Sequence, residues 1–125
     1  MQSHNMENLN QWPEGIGVTI DRKDAVAFVD YLTDDGVFRF GYAESVKGRA
    51  AVRASVDAFF NMFGSSRHWV VDCWRDRDSV IWQGEVRYSR LDGLAVTVNF
   101  ANIFRMNGEK IKEYLIYIDN TPQFA

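Results

Sequence analysis

Three polar side chains in the C-terminal half have residue types and settings that suit acid–base chemistry. Asp119 follows the apolar run EYLIYI, Asn102 lies within FANIF, and His68 opens the run HWVVDCW. A carboxylate or an imidazole can transfer a proton, and an amide can donate a hydrogen bond to a developing oxyanion. Burying such groups is costly unless they are used or paired, so their setting points to a small-molecule site.

Each of these residues also has a structural interpretation. Asp119 could organise the turn Asn120-Thr121-Pro122, because Asp commonly bonds its own backbone in turns. A lone strand histidine such as His68 is more often structural than catalytic, although it titrates near neutrality. Asn102 is harder to explain in this way, since an amide in an apolar strand needs a partner.

A β-hairpin must position Asn102 and Asp119. Asn-Gly between two apolar runs is a strong hairpin signal, and Asn107-Gly108 separates LAVTVNFANIFRM from EKIKEYLIYID. With these two residues as the turn, Asn102 opposes Glu113, which is itself more readily an ion-paired residue than a catalyst. One face is then a pocket wall, formed by Val96, Val98, Phe100, Asn102, Phe104, Ile111, Glu113, Leu115, Tyr117 and Asp119.

The opposite face of this hairpin carries a second apolar set, Tyr114, Ile116 and Ile118, which predicts a subunit interface. A three-residue turn with a glycine bulge would shift the pairing by one residue and exchange the partners of each face. Both registers therefore stay open at this point.

The preceding strand, WQGEVRYSR, alternates Glu85 and Arg87 with Trp82, Val86 and Tyr88. With Asp92-Gly93 as a two-residue turn, Glu85 and Arg87 share the Asn102 face. An arginine between carboxylates would keep them ionised and hold a water or a substrate oxygen. The alternative is an ordinary cross-strand salt bridge at the surface.

Helices and further strands complete the prediction. Asp21 is a predicted N-cap of a helix that runs through Leu32, and a second helix runs from Gly48 to Phe63 with Gly64 at its C′ position. The sequence VFRFGY between them predicts a short strand. Four long strands follow, His68–Arg75, Ser79–Arg90, Ala95–Met106 and Glu109–Asp119. The order predicts an α+β fold in which helices cover one face of a curved antiparallel sheet.

Composition excludes several classes of function. Residues 1–125 form one predicted domain with 46% hydrophobic residues, a formal charge of −3 and scattered basic residues, so a nucleic-acid partner is not expected. No apolar run is long enough for a membrane span, and the N-terminus lacks a signal-peptide core. A single cysteine, Cys73, fits a reduced cytoplasmic protein. No metal-ligand cluster or phosphate-binding loop occurs, so we expect cofactor-free and metal-free chemistry.

The order of several motifs resembles the SnoaL-like branch of the nuclear transport factor 2-like superfamily. The motifs are YLTDDGVFRFG, KGRAAVRASVDAFF, a strand opened by histidine, DG and NG turns, and a final YLIYID. The resemblance spans residues 21–122 and leaves 1–20 as an N-terminal segment. It implies a cone-shaped, curved antiparallel sheet wrapped by N-terminal helices around a deep apolar pocket, usually in a homodimer formed through the sheet. The superfamily includes polyketide cyclases, ketosteroid isomerase, limonene-epoxide hydrolase, scytalone dehydratase and non-catalytic binders.

The functional positions of these relatives match unevenly. Asp119 matches the acid that ends the final strand in cyclase-like members, and Asn102 stands at the position of the oxyanion-hole acid of ketosteroid isomerase. The general base of that isomerase falls near Phe40, which cannot accept a proton. Where epoxide hydrolases have Arg-x-Asp, this chain has Glu85-Val86-Arg87 with the charges reversed. Scytalone dehydratase uses two pocket histidines, and only His68 is available here.

These observations predict a cofactor-free cyclase, dehydratase or isomerase that acts on a hydrophobic, oxygenated small molecule. Asp119 and His68 would move the proton, and Asn102 would stabilise the oxyanion. Predicted substrate-binding residues are Tyr117, Glu85, Arg87, Phe40, Phe60, Trp82 and Phe100, with Phe38 as a further aromatic lining residue. The alternative is a non-catalytic dimeric module that binds a ligand or a protein partner.

Overall fold

A computed structural model describes residues 15–118. Helix α1 covers 15–21, and two further helices, α2 and α3, span Ala25–Asp30 and Arg49–Phe60. Six strands form one sheet in the order β2-β1-β6-β5-β4-β3. Their bounds are β1 Leu32–Phe40, β2 Val46–Lys47, β3 Phe63–Asp76, β4 Ser79–Arg90, β5 Ala95–Asn107 and β6 Lys110–Ile118. The predicted α+β class and the meander of β3 to β6 are confirmed.

The sheet is mixed rather than purely antiparallel, because β1 runs parallel to β6. β1 also begins at Leu32, earlier than the predicted short strand, with an irregularity between Leu32 and Val37. The Leu32 carbonyl accepts hydrogen bonds from Nε and Nη2 of Arg49 at 3.1 and 2.6 Å, and Arg49 also pairs with Asp34 at 3.1 Å. The first residue of α3 therefore fixes the start of β1.

The predicted helix bounds are wrong at the N-terminus of α2 and at the C-terminus of α3. The N-cap of α2 is Asp24, whose side chain accepts from the Ala27 amide at 3.1 Å, whereas Asp21 ends α1. A break between the two helices passes through Lys23, which has a φ of 56°. Helix α3 ends at Phe60, and Gly64 lies inside β3 rather than at a C′ position, because pairing with β4 already begins at Phe63.

The β5–β6 register differs from a simple Asn107-Gly108 turn. Asn107 pairs with Lys110, and an irregularity between Arg105 and Met106 shifts the pairing by one residue. Beyond it, Asn102 opposes Ile116 rather than Glu113. The exchange of faces that a bulge would cause has therefore occurred. Tyr114, Ile116 and Ile118 lie on the side of the sheet that the helices cover, here called the inner face.

The β4–β5 register also corrects the prediction for Glu85 and Arg87. Ser89 pairs with Ala95, and the turn between them is longer than Asp92-Gly93 because the Arg90 amide bonds the Leu94 carbonyl at 2.7 Å. Trp82, Val86 and Tyr88 are consequently buried on the inner face. Glu85 and Arg87 are exposed on the opposite side, here called the outer face.

The core between the inner face and the helices is rich in aromatic side chains. Tyr114 packs against Phe28, Phe38 and Phe104 with ring centroids 5.4, 5.3 and 4.6 Å apart. Fully burying a large apolar side chain contributes about 1.5–3 kcal/mol, so this cluster is a major source of stability. No helix among residues 15–118 is long and apolar enough to cross a membrane.

A close approach between β3 and β4 bends this edge of the sheet. The pairing shifts between Val70 and Asp72, opposite Gly84. A Cβ on Gly84 would lie 2.0 Å from the Trp69 carbonyl oxygen and 3.1 Å from the Phe100 ring. Only glycine permits this approach, and bulges of this kind bend a strand and increase its twist.

Candidate functional site

A cavity of about 430 Å³ lies between the inner face and the helices. Its size falls within the range of small-molecule pockets, and its lining is mostly apolar with a few polar groups. The lining residues are Ile20, Phe28, Phe38, Phe40, Ser55, Val56, Ala58, Phe59, Phe60, Met62, His68, Val86, Tyr88, Phe100, Asn102, Tyr114, Ile116 and Ile118.

One wall of the cavity carries a histidine paired with a carboxylate. Nδ1 of His68 lies 2.6 Å from Oδ1 of Asp21, and the His68 side chain is only 10% exposed. Oδ1 of Asp21 also accepts from the Ser66 hydroxyl at 2.8 Å, and Oδ2 accepts from the His68 backbone amide at 3.1 Å. The carboxylate is therefore fixed by three hydrogen bonds, from the two residues His68 and Ser66.

This pairing determines the chemistry open to the imidazole. A carboxylate is an acceptor, so it holds the proton of His68 on Nδ1 and leaves the Nε2 lone pair for another partner. Within residues 15–118 no side chain or backbone group bonds Nε2. A carboxylate on Nδ1 also stabilises the imidazolium that forms when Nε2 accepts a proton.

Helix α1 and strand β5 hold the His68 ring in place. Gly17 lies so close that an added Cβ would be 3.4 Å from Cβ of His68 and 3.6 Å from the Trp82 ring. On another side the Phe100 ring packs edge-on, with centroids 5.7 Å apart. The imidazole is thus oriented by packing as well as by Asp21.

A second polar group of the cavity lies on β5 and β6. Asn102 is 3% exposed and Tyr114 is 1% exposed, and both line the cavity. Oδ1 of Asn102 and the hydroxyl of Tyr114 have no hydrogen-bond partner in the described part of the chain. Burial raises the pKa of Tyr114 well above its ordinary value, and nearby Tyr88 raises the pKa further, so Tyr114 is a neutral hydrogen-bond donor.

The structure brings some of the predicted site residues to the cavity. His68, Asn102, Phe40, Phe60 and Phe100 line it, and Phe38 does so as well. Their position in the lining is therefore observed, and their chemical roles stay predictions.

Other predicted site residues lie elsewhere. Trp82 is fully buried beneath the lining, packed against the Phe100 and Phe104 rings. Glu85, Arg87 and Tyr117 lie on the outer face because of the registers described above, and the Tyr117 hydroxyl accepts from Nη2 of Arg39 at 3.0 Å. Asp119 lies outside the described residues.

Sequence reasoning missed Asp21 and misplaced Tyr114. Asp21 read as a helix cap, and it is separated from His68 by 47 residues, so no local pattern joins them. Tyr114 was assigned to the interface through the register error. In the described part of the chain, no three His, Cys, Asp or Glu side chains are grouped so that they could hold a metal ion.

Comparison with protein families gives a direct result, since residues 17–114 match the model of the SnoaL-like domain. The chain belongs to the SnoaL-like family. The predicted resemblance is confirmed, and the match covers Asp21, His68, most of the cavity lining and most of the sheet. No curated protein sequence matches the chain significantly.

Solved structures show the same fold at low sequence identity. An NTF2-like protein from Anabaena variabilis is 19% identical with a TM-score of 0.79, over 95% of this chain and 92% of that one. A hypothetical protein of ketosteroid isomerase-like fold from Catenulispora acidiphila, in complex with trimethylamine, is 16% identical with a TM-score of 0.75, over 81% and 79%. A candidate SnoaL-like polyketide cyclase from Shewanella putrefaciens is 10% identical with a TM-score of 0.75, over 90% of each chain.

Proposed function

We propose that this SnoaL-like protein is an enzyme that transfers protons within a hydrophobic, oxygenated small molecule, as a cyclase, dehydratase or isomerase does. The observation that carries the proposal is the 2.6 Å contact between Nδ1 of His68 and Oδ1 of Asp21 in the cavity wall. A nine-tenths-buried imidazole that is oriented by a carboxylate and faces an apolar cavity is arranged for general acid–base catalysis.

In the proposed mechanism, Nε2 of His68 accepts a proton from the substrate, and Asp21 stabilises the resulting imidazolium. The same nitrogen then returns the proton at another atom of the substrate, which completes an isomerisation or assists the loss of a leaving group. Tyr114 and Asn102 would hydrogen-bond an oxygen of the substrate. The apolar lining excludes water and so strengthens each of these polar contacts.

Asp119 is proposed as a second acid. It follows Ile118, which lines the cavity. If both carboxylates served catalysis, Asp21 would act through the imidazole, whereas Asp119 would exchange a proton with the substrate itself.

The test follows deuterium uptake from D₂O into 1-tetralone, an apolar ketone, and into any small molecule that co-purifies with the protein, both by mass spectrometry. We expect His68→Gln to lower the rate of uptake by about 10²–10⁴-fold, the usual contribution of a general acid or base. Asp21→Asn should lower it by a smaller factor. Asp24→Asn is the matched control, because Asn also caps helices and the Asp24 side chain accepts from the Ala27 amide rather than from His68.

Uptake by the wild type at the buffer rate, or equal uptake by the wild type and His68→Gln, would contradict the proposal. A large loss in Asp119→Asn with normal rates in Asp21→Asn would transfer the role to Asp119.

The second candidate is a ligand-binding module without turnover. The mostly apolar lining of the cavity favours it, since such a surface binds hydrophobic molecules whether or not they react. A co-purifying molecule that the wild type retains but leaves unlabelled in D₂O would support this candidate.

We also propose a homodimer that forms through the outer face. An apolar row crosses four paired strands there, and Trp74 and Ile81 in it are 39% and 36% exposed. The row is Trp74, Ile81, Ile103 and Leu115. The face predicted for this interface, with Tyr114, Ile116 and Ile118, is instead turned into the core.

Sedimentation velocity tests the dimer. Ile81→Lys should shift the protein to monomer, because it places a charge in the middle of the apolar row. Thr97→Lys adds the same charge to the same face outside the row and should leave the dimer intact. A wild-type protein that sediments as a monomer would refute the proposal.

A further inference from the structure

Within residues 15–118, two buried polar atoms of the cavity lining lack hydrogen-bond partners. They are Oδ1 of Asn102 and the hydroxyl oxygen of Tyr114, each on a residue that is less than a twentieth exposed. Leaving a buried polar group unpaired is costly, and native proteins contain few such groups. Both side chains line the cavity, so a bound molecule is a natural source of the missing hydrogen bonds.

The sheet places the two residues as diagonal neighbours on one face. Asn102 on β5 opposes Ile116 on β6, and Tyr114 is two residues from Ile116 on the same face. Such diagonal neighbours lie roughly 7–8 Å apart, with their Cβ atoms somewhat closer, which is within the reach of a tyrosine side chain. The Tyr114 ring is fixed by packing against Phe28 and Phe104, so its hydroxyl is pre-oriented.

We propose that this end of the cavity is a subsite for a hydroxyl group, and that the ligand is an elongated, uncharged, largely apolar alcohol or phenol. A hydroxyl satisfies both orphan atoms at once, because it donates to Oδ1 of Asn102 and accepts from the hydroxyl of Tyr114. A ketone or an ether lacks the proton that Oδ1 requires. The inference rests on the proposed function only in taking the cavity as a small-molecule site.

The charge of the lining argues that the ligand is neutral. The described residues that line the cavity include no Asp, Glu, Lys or Arg, so an ionised ligand group would be buried without a counter-charge apart from the imidazole. The rest of the lining, rich in Phe, suits an apolar body.

The elongated shape follows from the position of His68. His68 on β3 pairs with Val86 on β4, which pairs with Val98 on β5. Asn102 is on β5 as well, four residues further along that strand, so it lies two strands and four residues away from His68. On a flat sheet these offsets are roughly 10 Å across and 13 Å along the strands, and curvature shortens the gap between side chains. A ligand that reaches both ends therefore carries its hydroxyl far from the atom that meets Nε2 of His68.

The test compares 2-naphthol with 2-methylnaphthalene, which has a methyl group of similar size in place of the hydroxyl. Dissociation constants come from quenching of tryptophan fluorescence, and the quantity of interest is the Kd ratio of the methyl to the hydroxyl compound. In Tyr114→Phe and in Asn102→Leu, we expect this ratio to fall about tenfold from the wild-type value, the size of one hydrogen bond. Ser55→Ala, which removes another polar group of the lining, should leave the ratio unchanged.

Several results would overturn the inference. They are failure of 2-naphthol to bind at millimolar concentration, an unchanged ratio in Tyr114→Phe, and an equal fall in Ser55→Ala. Tyr114→Phe removes one oxygen only, so the test stands even if Asn102→Leu does not fold. His68→Gln should keep the wild-type ratio while it loses proton transfer, and so a failed catalytic proposal is distinguishable from a failed hydroxyl subsite.

Discussion

The inner and outer faces of the sheet carry similar residue types, but these residues differ in burial and in hydrogen bonding. Trp82 on the inner face is fully buried, whereas Trp74 on the outer face is 39% exposed. Polar side chains differ as well, since Arg105 and Glu113 on the outer face pair at 3.2 Å, while Oδ1 of Asn102 on the inner face has no partner within residues 15–118. Polar groups that solvent or a neighbour satisfies are ordinary, whereas the unpaired ones that line the cavity support the proposed hydroxyl subsite.

The largest expected effect is on stability, and it separates the two tryptophans. Trp82→Ala should lower the free energy of unfolding by about 3–5 kcal/mol, because it leaves a cavity between the Phe100 and Phe104 rings. Trp74→Ala should cost less than about 1 kcal/mol within one subunit. Urea denaturation of both variants measures the difference.

Protein concentration sharpens this comparison. The cost of Trp74→Ala should grow with concentration if the outer face is a dimer interface, whereas the cost of Trp82→Ala should stay constant. Equal costs for the two variants would contradict the assignment of the faces.

Alkaline pH should weaken the protein through groups on the inner face. Burial raises the pKa of the Cys73 thiol from 9.0 to about 11, with a smaller contribution from Asp72, and burial also raises the pKa of Tyr114. Above pH 9 the unfolded chain releases protons that the folded chain retains, so the free energy of unfolding falls as pH rises from about 9 to 11. The slope approaches ~1.4 kcal/mol per pH unit for each such proton.

Cys73→Val provides the matched control for the pH dependence. Between pH 9 and 10, where the tyrosine contributes little, the variant should lose stability more slowly than the wild type. Identical slopes in urea titrations at these pH values would show that the thiol is not protected by burial.

A smaller effect is expected when the unpaired hydroxyl is removed. Tyr114→Phe deletes a polar atom that has no partner in the described structure, so the free energy of unfolding without ligand should stay constant or rise by about 1 kcal/mol. Thermal denaturation measures this change. A loss above 2 kcal/mol would indicate that the hydroxyl already has a partner in the folded protein.

The smallest effects are expected for charges on the outer face. Glu85→Gln and Arg87→Gln should change the affinity for 2-naphthol by less than about twofold, because neither side chain reaches the cavity and surface substitutions are usually neutral. A tenfold loss of affinity in either variant would restore the original prediction of a substrate-binding role.

The sequence was sufficient for the fold class and for the four long strands, but it failed at the registers, at helix α1 and at the start of β1. Apolar periodicity gave the four long strands, and Ser79–Arg90 was predicted to the residue. A strand places alternate residues on opposite faces. Arg105 pairs with Glu113 and Met106 pairs with Ile111, so one additional residue on β6, Lys112, exchanged the environments of Tyr114 and Tyr117. Nothing in FRMNGEK distinguishes a plain two-residue turn from this arrangement.

Some residues of the candidate site could be predicted from the local sequence, whereas others depend on contacts between distant segments. His68 and Asn102 could be found because each is a polar residue in an apolar strand. Asp21 could not, since its role depends on a helix that ends beside a strand 47 residues away. The N-cap preference of aspartate is a local rule that fits Asp21 and Asp24 equally. The cap is Asp24, whereas the Asp21 carboxylate bonds Ser66 and His68.

The close approach at Gly84 limits which residues can occupy this position during evolution. The Trp69 carbonyl occupies the space where a side chain would begin at position 84, so the angle between the wall that carries His68 and the rest of the sheet depends on a missing methyl group. Mutation of the lining can change what the cavity accepts in small steps. A side chain at position 84 would instead force the Trp69 backbone to move, and with it the strand that carries His68, so this position is open to far fewer substitutions than the lining.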